Sequence, residues 1–170
     1  CAVLDPERAP GRLTLISQQG AGLLRDRFPS LVRTMRQAGH RVAWSCDPMH
    51  GNTVRARSRF KTKNYGDIVD ALRGFVEVLA SLSEWPGGVH LELAADDVTE
   101  CVGGGGPDVG SPSRSYRSLC DPRLNNVQAS GADAENRGPA PASRHHLAHD
   151  GAPNGGQIDQ GEWEVQCGHF

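Results

Sequence analysis

Hydrophobic and polar positions alternate along this chain with two different periods, and the periods change at recognisable punctuation. Ala9-Pro10-Gly11 is a turn signal, and Leu13-Thr14-Leu15-Ile16-Ser17 then reads as a short buried strand. Gly20 and Gly22 loosen the chain. Pro29 suits the first turn of a helix, with Phe28, Leu31, Val32 and Met35 at helical spacing and Gly39 as its C-terminal cap. Arg41 to Cys46 is the next strand. A polar loop with Arg55, Arg57, Arg59, Lys61 and Lys63 follows it. Ile68, Leu72, Phe75, Val76, Leu79 and Leu82 mark an amphipathic helix, which Trp85-Pro86-Gly87-Gly88 stops. Val89 to Leu93 alternates, so it predicts a strand with His90 and Glu92 on one face. After Gly103 to Gly106 and a Ser/Pro-rich loop, Tyr116 to Cys120 reads as a last short strand.

This alternation of strands and helices predicts a parallel α/β architecture, either a barrel or an open sheet. The strands are too few for a complete eight-fold barrel, which takes ~250 residues. From Ala129 to Phe170 the aliphatic periodicity stops. That segment is expected to be disordered or foreign to the fold, because it buries too little to offset its ordering entropy. The expected division is therefore 1–128 for the fold and 129–170 for a non-periodic tail.

Composition narrows the function classes. A net charge of -2 and a pI near 6.4 give no electrostatic footprint for nucleic acid. No apolar run approaches the ~20 residues of a membrane span, and no secretory leader is expected. Five cysteines without a Cys-x-x-Cys pair argue against a zinc knuckle or a disulfide scaffold, and for free thiols in a reducing cytoplasm. A start at Cys1 is read as a fragment or a processed product.

The candidate chemistry sits after the strands. Cys46-Asp47-Pro48-Met49-His50-Gly51-Asn52-Thr53 mixes an acid, an imidazole and amide or hydroxyl groups directly after an apolar run. His50, Glu92 and Asp121 follow successive strands, and a parallel barrel gathers strand ends at one mouth. Histidine with carboxylates can bind Mn, Co, Fe or Zn, and an open position can polarise a carbonyl. Each residue has a plainer reading. His50 can bond local backbone, Glu92 can pair with a lysine or arginine, and Asp121 before Pro122 can be a turn residue. In the basic loop, Lys61 is the better candidate for a fixed phosphate contact. Gly103 to Gly106 matches no complete phosphate-binding fingerprint.

Trp44 to Thr53, Pro10 to Ser17, Phe60-Lys61-Thr62-Lys63, Pro86 to Glu92, Asp97 to Gly104 and Cys120 to Asn125 occur in one order. Together they resemble the class II (plant-type) 3-deoxy-D-arabino-heptulosonate 7-phosphate (DAHP) synthases. The resemblance covers about residues 3–128. It implies a partial (β/α)8 TIM barrel, about strands five to eight, of an enzyme that condenses phosphoenolpyruvate with erythrose 4-phosphate at the entry to the shikimate pathway. It implies a divalent metal, Mn2+ first with Co2+ or others possible. His50, Glu92 and Asp121 match three of its four ligands, and the fourth is a cysteine with no counterpart here. Asp47 matches a position at the aldose site, and Lys61 and Lys63 match substrate-binding or active-site positions. The family is homo-oligomeric.

Three departures from the family pattern bear on activity. Gln18-Gln19 stands where the family has Arg-Met, and an amide does not replace a bidentate charged donor. Lys63 replaces an arginine. A closing Leu/Ala-rich helix is not found after Gln128-Ala129. The expectation is a chain inactive alone, poorly soluble or dependent on a complementary N-terminal half. The alternative is a non-catalytic remnant or interaction module that pairs with a full-length homologue. A simple metal-binding protein is a third class.

Overall fold

A computed structural model describes residues 1–106 and 115–136, with side chains described as far as 131. Three strands form a parallel sheet: β1 (Thr14–Ser17), β2 (Ala43–Cys46) and a third at Pro86–Val89, in the order first, second, third along the chain. A two-stranded antiparallel hairpin interrupts them, so the strands are numbered β1, β2, β3 (Thr53–Arg55), β4 (Lys61–Lys63) and β5 (Pro86–Val89). Helix α1 (Ala21–Gln37) joins β1 to β2, α2 (Tyr65–Ser81) follows the hairpin, and α3 (Asn126–Asn136) closes the described chain.

The core shows why the pattern folds this way. Leu24, Phe28, Val32 and Met35 of α1 recur every three or four residues and are buried against Ala71, Leu72, Phe75, Val78 and Leu79 of α2. Trp44 and Cys46, two apart on β2, point into the same cluster. Phe28 stacks on Phe75 at 5.3 Å and meets Trp44 edge-on at 5.4 Å. Arg25 ties the helices outside the core through Asp70 and Glu77. The register places Ile16, Ser45 and Gly88 side by side on the other face of the sheet, where Ile16 is 54 % exposed.

Several local expectations are corrected. Helix α1 begins at Ala21, so Pro29 lies inside it and removes the N–H that would reach the Arg25 carbonyl. Gly39 does end it, with φ +75°. Its N–H bonds to the Arg36 carbonyl and that of His40 to the Met35 carbonyl, a Schellman closure. The basic loop is the hairpin β3–β4. The strand expected at Val89–Leu93 runs instead over Pro86–Val89, because β5 takes its register from β2; the extended chain beyond it meets Leu124 in a single parallel bridge at Leu93.

Tyr116–Cys120 is not a strand. Its amides at Arg117 and Ser118 bond to a side chain, Glu100, rather than to a neighbouring strand. The helical pattern also continues past Gln128. Asn125 and Gln128 cap α3 reciprocally: the Gln128 N–H donates to Asn125 Oδ1 and the Asn125 N–H to Gln128 Oε1. This helix crosses the boundary expected at 128. The rest of the expected tail, from 137, lies outside the described residues, as does Cys167. Cys1, Cys46, Cys101 and Cys120 are free thiols. No helix among the described residues is long and apolar enough to cross a membrane.

Candidate metal and substrate site

The chain leaves β2 at Cys46 and turns at once. Asp47 is 1 % exposed and uses both carboxylate oxygens. Oδ1 accepts the backbone N–H groups of Met49 (2.9 Å) and His50 (3.1 Å), which winds residues 50–52 into a single 3-10 turn. Oδ2 accepts Gln18 Nε2 at 3.0 Å and His50 Nδ1 at 2.6 Å. An ionised carboxylate only accepts, so a His50 proton sits on Nδ1, and in the neutral ring Nε2 keeps its lone pair. Asn52 locks the same turn from behind. Its Oδ1 accepts the Ala21 N–H at the start of α1, and its Nδ2 donates to the Pro48 carbonyl at 2.8 Å. Gly51 is required here, since a Cβ would run into the backbone of Gln18 and Gly20.

His50 Nε2 points towards Glu92, 3.7 Å from Oε1, and its ring lies 6.2 Å from that of His90. The other Glu92 oxygen accepts Lys63 Nζ at 2.7 Å. Lys63 is fully buried and also donates to the Pro122 carbonyl at 2.8 Å. Lys61, next but one along β4, donates to Asp121 Oδ1 at 3.0 Å. That hydrogen bond holds the Asp121 carboxyl below its ordinary value against the opposing effect of burial, and the nearby charges of Lys63 and Lys61 act in the same direction as the bond. Alternation along β4 puts both lysines on one side of the strand, with Thr62 on the other, where its hydroxyl reaches the Glu100 carbonyl.

His50, Glu92 and Asp121 thus line one cavity of about 760 Å3, together with His90, Cys120, Arg117 and Arg123. The structure brings the three expected ligands to a common space without drawing them into a coordination cluster: among the described residues no three His, Cys, Asp or Glu side chains are close enough to hold a metal ion. Of the other expected site residues, Asp47 lies behind His50, Lys61 is half-exposed beside Asp121, and Lys63 is enclosed behind Glu92. One of the plainer readings describes what is seen, and a second does so in part. Glu92 is paired with a lysine, and His50 stays within its own turn, though its ring bonds the Asp47 carboxylate and not the local backbone.

Sequence reasoning missed two residues that hold this site. Asn52 belongs to the opening motif, yet its role as a remote cap for α1 depends on a contact 31 residues distant, which no local pattern signals. Glu100, 1 % exposed, gathers the loop that carries Asp121. A buried acid beside the apolar Val98, Cys101 and Val102 was the available signal.

The chain matches the model of the Class-II DAHP synthetase family over residues 1–132. It is 52 % identical over 127 residues to the phospho-2-dehydro-3-deoxyheptonate aldolase of Streptomyces coelicolor, covering 74 % of this chain and 28 % of that protein. It is 50 % identical over 127 residues to the enzyme of the same name from Streptomyces lividans, covering 74 % of this chain and 86 % of that sequence. Identity to phospho-2-dehydro-3-deoxyheptonate aldolase AroG of Mycolicibacterium smegmatis is 43 % over 128 residues, or 74 % of this chain and 27 % of the relative. The chain therefore spans under a third of the length of the Streptomyces coelicolor and Mycolicibacterium smegmatis proteins and most of the Streptomyces lividans sequence. With the family model matched over most of its residues and relatives at this identity, the chain belongs to the class-II DAHP synthetase family.

Proposed function

We propose that this chain supplies part of a (β/α)8 barrel, about strands five to eight, to an enzyme that condenses phosphoenolpyruvate with erythrose 4-phosphate to DAHP. The convergence of His50, Glu92 and Asp121 on one cavity carries the reading. The half-barrel is supported by the parallel order β1, β2, β5, continued by the Leu93–Leu124 bridge, and by Ile16 exposed on the face opposite the helices. A complementary chain with the remaining strands would be its partner, in a cytoplasmic enzyme.

The donor types suit a divalent cation, Mn2+ first and Co2+ next, although the three residues do not stand in a coordination cluster. Glu92 commits one oxygen to Lys63 and Asp121 one to Lys61, so each keeps a second oxygen, and a neutral His50 with its proton on Nδ1 keeps the Nε2 lone pair. When bound, such a metal supplies Lewis-acid polarisation of the aldehyde carbonyl. Asp47 fixes the imidazole ring and its tautomer. Lys63 holds Glu92 from behind. Lys61, 40 % exposed in its side chain, can turn from Asp121 to a substrate phosphate as a point charge. Gln18 donates to Asp47, so it acts here as a support of the turn and brings no charge to the substrate.

The test is consumption of phosphoenolpyruvate by the purified chain with erythrose 4-phosphate and Mn2+, alone and mixed with the N-terminal half of a full-length relative. The expected result is no turnover alone and turnover in the mixture, abolished by His50→Ala. A mixture that associates yet stays inactive would overturn the catalytic reading. That outcome would favour a non-catalytic module, to which the neutral Gln18 also points.

A further inference from the structure

Resting on the reading that Asp121 serves the metal site, we infer that Glu100 is the positioning residue for the loop that presents it. Glu100 follows the extended chain beyond β5, is 1 % exposed, and spends its whole carboxylate on this loop. Oε1 accepts the backbone N–H groups of Arg117 and Ser118, both at 2.8 Å. Oε2 accepts the Ser118 hydroxyl at 2.6 Å and the Arg123 N–H at 2.8 Å. The side chain therefore grips the loop on both sides of Cys120-Asp121-Pro122. No strand or helix does so there: of residues 115–125, Leu124 alone makes a bridge, to Leu93.

The backbone of Glu100 is fixed in turn. Its carbonyl accepts the Thr62 hydroxyl at 2.8 Å, between the two lysines of β4. Lys61 and Lys63 reach Asp121 and Pro122 from the same strand. One carboxylate thus sets the separation between the loop that bears Asp121 and the strand that bears its counter-ion. Charge-assisted hydrogen bonds to a buried carboxylate are short and strong, which suits a group with this task.

The chemistry of the four donors makes the proposal specific. Arg117, Ser118 and Arg123 N–H groups can only donate, whereas the Ser118 hydroxyl can also accept. In Glu100→Gln the amide oxygen stays on Arg117 and Ser118, where two backbone donors meet it. The new NH2 replaces Oε2, bonds the Ser118 oxygen, and opposes the Arg123 N–H. The variant should release one end of the loop and keep the other.

Amide hydrogen exchange on the full 170-residue chain, with Mn2+ titration, tests this. In Glu100→Gln the Arg123 amide should exchange about ten-fold faster or more, while Arg117, Ser118 and the amides of α2 keep their protection. The Mn2+ dissociation constant should rise about 10–100-fold, the range for groups that orient metal ligands. Glu100→Ala should release all three loop amides. Unchanged exchange at Arg123 in Glu100→Gln overturns the proposal, as does wild-type Mn2+ affinity with the loop released. If the wild-type chain takes up no Mn2+, the metal reading fails and exchange alone decides the anchor. If Glu100→Ala does not fold, Glu100→Gln, equal in size, decides.

Discussion

Asp47→Asn separates what this carboxylate does for the fold from what it does for His50. Oδ1 meets two backbone N–H groups, Met49 and His50, that cannot accept. The amide oxygen must stay there, so the NH2 takes the place of Oδ2. It then faces Gln18 Nε2 and His50 Nδ1. Gln18 answers by turning its amide over. His50 answers only by losing the proton from Nδ1, which moves the N–H to Nε2, the atom 3.7 Å from Glu92. The bond count survives and the tautomer reverses. Exchanging charge-assisted for neutral hydrogen bonds costs about 1–2 kcal/mol of stability. Losing the Nε2 lone pair costs Mn2+ affinity about 10–100-fold, the usual penalty for disturbing a group that orients a metal-ligating histidine. Imidazole 15N shifts of the metal-free protein report the tautomer, urea unfolding the stability, and calorimetric Mn2+ titration the affinity. An Asp47→Asn protein that keeps the Nδ1–H form, or binds Mn2+ as tightly as the wild type, would refute the reasoning.

Lys63→Met removes a fully buried ammonium and strands Glu92 Oε2 and the Pro122 carbonyl. Breaking a buried pair costs about 3–5 kcal/mol, and the 22 % exposure of Glu92 puts this case near the lower figure. Urea unfolding should show it, and a loss below about 1 kcal/mol would mean the pair is not coupled. Because the Asp121 pKa is depressed in the folded state, mainly by the Lys61 hydrogen bond, its stabilising contribution is present above 3.8 and is lost as pH falls through the lower folded value. The stability gap between wild type and Lys61→Met should therefore close only in acid; a gap that persists at the lowest pH would locate the effect elsewhere. Burial pushes the thiols of Cys46 and Cys101 up to about 12, with the Asp47 charge adding at Cys46. Unfolded thiols ionise near 9.0, so the chain should lose stability between about pH 9 and 12. At neutral pH a thiol reagent should label Cys1 and Cys120 and spare these two, as read by peptide mapping; prompt labelling of Cys46 would contradict its burial.

What the sequence made legible follows from how far each interaction reaches. The amphipathic faces of α1 and α2 and the strands β1 and β2 on either side of α1 are set by spacing within one element, and those assignments hold. The start of α1 was hidden because Gly20 offers no side-chain cap; the cap comes from Asn52, a tertiary contact. The hairpin β3–β4 was hidden by its charge. Arg55, Arg57, Arg59, Lys61 and Lys63 together read as a polar loop, and only the acids opposite the two lysines show why that face of the strand turns inward. Asn125-Asn126-Val127-Gln128 did carry a capping signal for α3 that outweighs the weak apolar pattern after it. His50 and Glu92 could be chosen from sequence because each follows a strand, whereas the strand expected before Asp121, Tyr116–Cys120, is one that the fold does not have. Their lysine partners could not, because the pairs span 29 and 60 residues.

Those pairings also explain how Glu92 and Asp121 can face one cavity with Asp47 buried behind it. Asp47, Glu92 and Asp121 would repel one another if left bare in a site partly shielded from water. Asp47 is answered by backbone N–H groups, Gln18 and the His50 ring; Glu92 by Lys63; Asp121 by Lys61. Asp47 has both oxygens engaged, whereas the lysines engage only one oxygen of each of Glu92 and Asp121. The atoms left over are one imidazole nitrogen and one oxygen from each of Glu92 and Asp121, which are the kinds a divalent cation takes. The lysines therefore do more than neutralise. By fixing one oxygen of each carboxylate, they restrict how the other can turn. Glu100 then sets the distance between β4, which carries the lysines, and the loop that carries Asp121. The ion pairs thus hold each donor group at the cavity, and closing His50, Glu92 and Asp121 into a coordination cluster is the step left to the metal.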